Sequence, residues 1–229
     1  MSAALNVEDL RPGLLQGLHA LGLALDDAQV QRLLRFMELL HKWNKVYNLT
    51  ALRNPQEMLT HHMLDSLAAV QPLQRHLVSL PAAQPVRHLD VGSGGGLPGV
   101  VFAICCPQLQ VHCVDTVAKK AAFIQQVAAS LQLPNLRGIH ARVESLQEPY
   151  DIVSCRAFAA LADFTTWSRA AMAPAGVWLA MKGKHPQEEI AALAPDQVQV
   201  FHVEPLQVPG LDAERCIVWM RPVAVSSVA

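Results

Sequence analysis

Apolar positions recur with a helical period over the first third of the chain and fall into short separate blocks over the rest. Val30, Leu33, Leu34, Met37, Leu40 and Trp43 make an i, i+3, i+4 stripe, with Asp26-Asp27 ahead of it as an N-cap. A second helical stretch runs from Pro55 to Leu77 and carries His61, His62, Asp65 and Ser66. Pro81 to Pro85 reads as a linker. From Val86 the period changes. Strands are predicted at 86–91, 109–114, 135–140, 150–155 and 176–182, with two more at about 197–204 and 214–221. Helices are predicted between them near 98–106, 118–132, 160–173 and 186–193. The alternation calls for an α/β fold with a mostly parallel seven-stranded sheet covered on both faces. A helical extension over residues 1–80 precedes the α/β domain over 81–229, whose tail from Val223 to Ala229 is expected to fray.

One loop interrupts this alternation with unusual composition. Between the runs Val86–Val91 and Val100–Cys106 lie Gly92, Gly94, Gly95, Gly96 and Gly99. Glycine reaches positive φ and lets a ligand come close to the backbone, so the cluster predicts a loop wrapped around something. The unpaired amides of the helix that follows are expected to suit an anionic group. The next strand, Leu109 to Val114, leads to Asp115. Strand, glycine turn, helix and strand-end acid form the nucleoside-binding half of a Rossmann-like sheet, with the acid placed for ribose hydroxyls.

Two glycine frames fit. Asp90 followed by Gly92, Gly94 and Gly96 resembles motif I of class I S-adenosylmethionine (SAM) methyltransferases, whereas Gly94, Gly96 and Gly99 give the dinucleotide frame of a nicotinamide dehydrogenase. The first is favoured because Gly92 falls just past the strand and Pro98 suits a first helical turn. Ligands in such sheets bind at the carboxyl ends of the strands. The candidates are Gly92 to Leu97, Asp115, Ala141 to Glu144, Cys155 to Phe158 and Lys182 to Lys184.

Composition narrows the classes. With 52% hydrophobic and 16% charged residues, 229 residues can bury a sizeable core. The longest apolar run, Val100 to Cys106, is too short for a bilayer span, and the first residues lack the pattern of a secretory signal. Five cysteines without a C-x-x-C pair sit in apolar runs and read as buried thiols, which suits the cytoplasm and argues against a metal site. A net charge of −1 does not advertise nucleic-acid binding, but charge is segregated. Arg32, Arg35, Lys42, Lys45 and Arg53 meet only Glu38 between positions 32 and 53.

Larger blocks carry a specific resemblance. His41-Lys42-Trp43-Asn44-Lys45-Val46-Tyr47-Asn48-Leu49-Thr50 is one, and His62-Met63-Leu64-Asp65-Ser66 is another. The glycine loop, Ala141-Arg142-Val143-Glu144, Arg156-Ala157-Phe158 and Met181-Lys182-Gly183 complete the set. From about residue 25 to 221 the chain resembles the RsmG (GidB) family, bacterial enzymes that methylate N7 of one guanine in 16S rRNA with SAM. Cys155 stands where serine is expected, and Gly95 where a proline is common. The resemblance implies the class I SAM-dependent fold, with SAM as cofactor and S-adenosylhomocysteine as product. It places Gly92, Gly94, Gly96, Leu97, Val143, Glu144 and Arg156 at the cofactor, beside Asp115 from the fold logic. Arg156 and Lys182 are expected to position the reacting groups, reaching the SAM carboxylate, an RNA phosphate or guanine O6. Lys42, Lys45, Arg53, Arg142 and Lys184 are the RNA candidates, which makes 1–80 an RNA-facing extension.

Guanine N7 carries an in-plane lone pair and no proton, so a general base is not expected. Trp43 and Tyr47 can stack on bases, although Trp43 continues the apolar stripe and is expected in the core. His61 and His62, being adjacent, project from different sides of a helix and read as structural or RNA-facing. The expected partner is 16S rRNA in the small subunit, with neither membrane nor metal, and a monomer satisfies every requirement. A small-molecule methyltransferase and a SAM-holding ribosome-binding protein remain as alternatives from the residues alone.

Overall fold

The computed structural model describes residues 6–80 and 85–223; residues 81–84 of the expected linker and 224–229 of the expected tail lie outside them. A 3-10 turn, Val7–Leu10, leads into α1 (Arg11–Ala20). Helix α2 (Asp27–Tyr47) starts as the sequence indicates. The Asp26 side chain accepts from the Gln29 amide, and the Gln29 side chain accepts from the Asp26 amide, closing a capping box. Gln29 also donates to the Ile104 carbonyl at 2.9 Å, which ties the start of α2 to the α/β domain. The expected second helical stretch is interrupted. It comprises α3 (Pro55–Met58), a π-helical turn (Leu59–Leu64), α4 (Asp65–Ala68) and α5 (Val70–Ser79).

The sheet has seven strands: β1 (Arg87–Val91), β2 (Gln110–Asp115), β3 (Leu136–His140), β4 (Tyr150–Arg156), β5 (Met172–Lys182), β6 (Val198–Leu206) and β7 (Arg215–Pro222). Their order is β3-β2-β1-β4-β5-β7-β6, parallel from β3 to β5, with β7 antiparallel to β5 and β6. The intervening helices are α6 (Gly99–Cys105), α7 (Ala118–Ser130), α8 (Leu161–Ser168) and α9 (Gln187–Ala191). Two further elements differ from expectation. Strand β5 starts at Met172, not 176, because Met172 pairs with Tyr150 before the register shifts to Ile152↔Val177. Helix α8 therefore stops at Ser168, and a 3-10 turn, Arg169–Ala171, carries the chain into β5 where a helix to 173 was expected.

The N-terminal helices do not form a core of their own. Leu33, Phe36 and Met37 of α2 and Leu64 and Leu67 beyond it join Phe102, Phe123, Ile152 and Leu179 in one apolar cluster. The rings of Phe36 and Trp43 lie 6.5 Å and 5.5 Å from Phe123, so Trp43 is a packing residue as the stripe indicates. Helices α8 and α9 pack on the other face, around Val91, Val153, Trp178 and Val218.

Candidate functional site: two clefts at one sheet edge

The glycine loop follows β1 and takes the conformations that only glycine adopts readily. Gly92, Gly94 and Gly96 have φ of 64°, 56° and 85°. At Gly92 space also demands glycine, since a Cβ there would stand 2.1 Å from Cδ2 of Phe158. At Gly94 a Cβ would meet nothing closer than the Gly92 carbonyl oxygen, 3.9 Å away. The Gly94 amide donates to Oδ2 of Asp115 at 3.0 Å, and the Val117 amide donates to Oδ1 at 2.9 Å. Lys120 Nζ lies 3.6 Å from the same carboxylate. Asp115 is thereby fixed at the end of β2, with lone pairs to spare for two further donors.

A cleft of about 590 Å³ opens beside this loop, large enough for a nucleoside-sized ligand. It brings together Gly92, Asp115, Val143 and Glu144 of the expected cofactor set. Arg142, expected at RNA, lines the same cleft with Phe158 of the strand-end candidates, and Trp167 and Lys120 add walls that sequence reasoning missed. Gly94 acts through Asp115, whereas Gly96 and the buried Leu97 shape the loop without lining the cleft.

The expected anion site at the following helix is not available. The Gly99 amide donates to Oδ2 of Asp90 at 3.0 Å, and the Val100 amide to the Gly96 carbonyl. Asp90 also accepts from Ser154 Oγ, and burial pushes its carboxyl up to about 7 against those two bonds.

A second cleft, about 360 Å³, lies on the other side of Ala157, which lines both. Its walls come from the π-helical turn, the ends of β4 and β5 and the start of β7. Arg156 points here. Its Nη1 donates to Asp65 Oδ2 at 2.9 Å and to the His61 carbonyl at 3.0 Å. Arg215 Nε donates to the other oxygen of Asp65, also at 2.9 Å. Lys182 Nζ donates to Glu189 and to the Ala159 carbonyl. Of the two expected positioning residues, both thus line the second cleft, and Arg156 does not line the first.

The Lys42-to-Thr50 block acts on this cleft from behind. Asn44, only 2% exposed, donates to the Leu52 carbonyl and accepts from the Thr50 amide. That turn holds Thr50 Oγ1 at 2.6 Å from His62 Nε2, and His62 in turn faces Arg156. Burial and the Arg156 charge pull His62 down to about 4, so the ring is neutral at physiological pH. Of the two histidines of the π-helical turn, His62 is engaged through its ring and His61 through its carbonyl. An Asn44→Ala variant leaves the Thr50 amide and the Leu52 carbonyl without their partner. It is expected to lose about 1–3 kcal/mol of stability. Thermal unfolding checks this, since each kcal/mol lowers Tm by about 2–4 °C in a chain of this size.

Lys42, Lys45 and Lys184 are exposed, and exposed Arg53 donates to the Asn48 side chain. All five cysteines are buried and free. Burial pushes the Cys106 thiol up to about 11, far from reactive. Among the described residues no helix is long and apolar enough to cross a membrane, and no three His, Cys, Asp or Glu side chains gather as metal ligands.

The strand order, the glycine loop and the strand-end acid define a class I methyltransferase. Solved structures share the architecture: mitomycin 7-O-methyltransferase MmcR superimposes with a TM-score of 0.55 over 94% of this chain and 67% of its own, at 16% identity. A variant of the 16S rRNA (adenine(1408)-N(1))-methyltransferase from Catenulisporales acidiphilia gives 0.51 over 62% of this chain and 87% of its own, at 19% identity. Within that class the chain belongs to the GidB family, rRNA small subunit methyltransferase G, whose profile matches residues 29–218. A ribosomal RNA small subunit methyltransferase G from Acidovorax sp. (strain JS42) is 72% identical over 91% of this chain and 94% of its own. That of Verminephrobacter eiseniae (strain EF01-2) is 61% identical over 99% of this chain and its whole length.

Proposed function

We propose that this chain binds SAM in the larger cleft and methylates N7 of one guanine of 16S rRNA in the small ribosomal subunit. The observation that carries the reading is Asp115. Two backbone amides aim its carboxylate at the cleft beside a glycine loop, the arrangement that suits a nucleoside's ribose. Val143 and Glu144, assigned in this reading to the adenine end of SAM, line the cleft together with the Phe158 and Trp167 rings, 5.9 Å apart. When bound, SAM supplies a methyl group on a sulfonium, and S-adenosylhomocysteine is left.

The chain's own residues then have to position a base. An unstacked guanine must enter from the RNA, at a cost of a few kcal/mol. Holding it in line with the donor can return about 7–11 kcal/mol of the barrier. Asp65, engaged by two arginines, and His62, neutral and engaged by Thr50, are held as structural groups and not as bases. Exposed Lys42, Lys45, Arg53 and Lys184, with Arg142 at the cleft mouth, supply the RNA-facing charge of a monomeric cytoplasmic enzyme.

Small subunits isolated from a strain lacking this gene, incubated with methyl-labelled SAM, are expected to take label at one N7-methylguanine, mapped by strand scission at that base. No label on subunits or on naked 16S rRNA, despite measured SAM binding, removes the rRNA reading.

A further inference from the structure

The second cleft has engaged its carboxylate and kept guanidinium donors. Both oxygens of Asp65 are taken, one by Arg156 and the other by Arg215, and the His61 carbonyl is taken by Arg156. The carboxylate of Glu189 behind it holds Lys182. On the donor side, Arg215 uses Nε on Asp65 and Nη1 on the Glu214 carbonyl, while its Nη2 has no partner among the described residues. Arg156 likewise leaves its Nε unengaged among them. The cleft is contiguous with the larger one through Ala157, which immediately follows Arg156.

We propose that this cleft is the acceptor-base site and that Arg215, fixed by Asp65, selects guanine by donating to O6. The inference rests on the methyltransferase reading above and adds the base-selecting residue. N7 and the C6 substituent share one edge of a purine, so a base whose N7 meets the larger cleft at Ala157 brings its C6 substituent to the arginine side of the same boundary. Guanine presents there a carbonyl oxygen, an acceptor; adenine presents an amino group, a donor. A wall of guanidinium donors therefore accepts guanine and leaves adenine with donor against donor. N7 itself must stay free of donors, because its lone pair forms the new bond to carbon. Asp65 is the positioning residue: one carboxylate sets the planes of both guanidinium groups, and it balances the positive charge the base gains on methylation.

The test compares Arg215→Ala, Asp65→Asn and the double variant with the native chain. Methyl transfer to undermethylated small subunits is measured under saturating SAM, alongside S-adenosylhomocysteine affinity by calorimetry. Arg215→Ala is expected to slow transfer roughly 10- to 100-fold, the value of one good base contact, with affinity for S-adenosylhomocysteine unchanged. The double variant is expected to be no worse than Asp65→Asn, because the two act as one unit. Arg215→Lys, which keeps the charge and loses the fork, guards against a mere folding defect and is expected to recover only part of the rate. Guanosine 5′-monophosphate is expected to inhibit transfer better than adenosine 5′-monophosphate in the native chain, and the preference is expected to vanish in Arg215→Ala.

Full rate in Arg215→Ala, additive losses in the double variant, or no guanine preference in the native chain overturns the proposal. A loss of S-adenosylhomocysteine affinity equal to the loss of rate assigns the cleft to the cofactor and overturns it too. Absence of transfer by the native chain is a different result, which strikes the methyltransferase reading itself.

Discussion

Replacing Gly92 with alanine is expected to abolish S-adenosylhomocysteine binding and methyl transfer while the chain still folds. Two costs add at this position. A residue with a Cβ held at φ of 64° is strained by about 1–2 kcal/mol. The new methyl also lands 2.1 Å from Phe158 Cδ2, so the ring has to leave. Overpacking of that kind costs about 1–3 kcal/mol more. Phe158 cannot move alone, since its ring packs edge-on against Phe164 at 6.4 Å and Trp167 at 5.9 Å. Gly92, Phe158 and Trp167 all line the larger cleft, so the displacement reshapes the proposed cofactor site directly. Gly94→Ala is the control, with a positive φ and an unobstructed Cβ, so its unfolding reports strain alone. Scanning calorimetry is expected to place Gly92→Ala below Gly94→Ala in Tm. Equal melting temperatures, or native affinity for S-adenosylhomocysteine in Gly92→Ala, would remove the Phe158 contact from the account.

The elements were readable where burial alone decides them. Strands β1, β2 and β4 are largely buried, so each carries an apolar stretch (interrupted by residues such as His88, Asp90 and Ser154) with ends visible to within a residue. The Asp26 cap was visible because its chemistry is local. Pairing decided what was missed. Nothing local tells that Met172 bonds to Tyr150 ahead of a bulge, so Arg169 to Ala173, with good helix formers among them, reads as the end of a helix. The π-helical turn is equally silent, since its residues are ordinary helix residues.

The same distinction holds at the site. Asp115, Gly92, Val143 and Glu144 were found by asking what stands at the carboxyl ends of parallel strands. Arg215 escaped that question because β7 runs the other way. Its first residues, not its last, lie beside Lys182, as the pairing of Lys182 with Cys216 shows. A search at strand ends cannot find a residue at a strand start. Asp65 stood in a block already recognised, but its role depends on an arginine 150 positions later. The Lys42-to-Thr50 block shows the converse. It identified the family, yet its central Asn44 serves a turn and reaches the second cleft only through Thr50 and His62.

His88 gives the second large effect, this time on stability. Its side chain is fully buried on β1 against Phe102, 5.4 Å between ring centroids, and neither ring nitrogen has a partner among the described residues. Burial, helped by the nearby His112, pulls it down to about 3, so the folded chain keeps it neutral. Below pH 6.5 the unfolded chain takes up a proton there and the folded chain does not. Stability is therefore lost as pH falls from 6.5 towards 3, by up to about 1.4 kcal/mol per pH unit from this group. Asp90, two residues along, works in the opposite sense. Held up to about 7, it is protonated in the fold where the unfolded carboxyl is ionised, so stability rises as pH falls from 7 to 3.8. The two nearly cancel between pH 3.8 and 6.5, and His62, held at about 4, leaves a net loss towards acid. A His88→Leu variant removes one side of that balance. It is expected to melt higher than the native chain at pH 8, because two buried polar atoms without partners are gone, each costing about 1–3 kcal/mol. The difference is then expected to widen steadily from pH 6.5 to 4.5, as the variant keeps the Asp90 contribution and loses the His88 penalty. A difference in Tm that stays constant over that range would show that His88 does not titrate with unfolding.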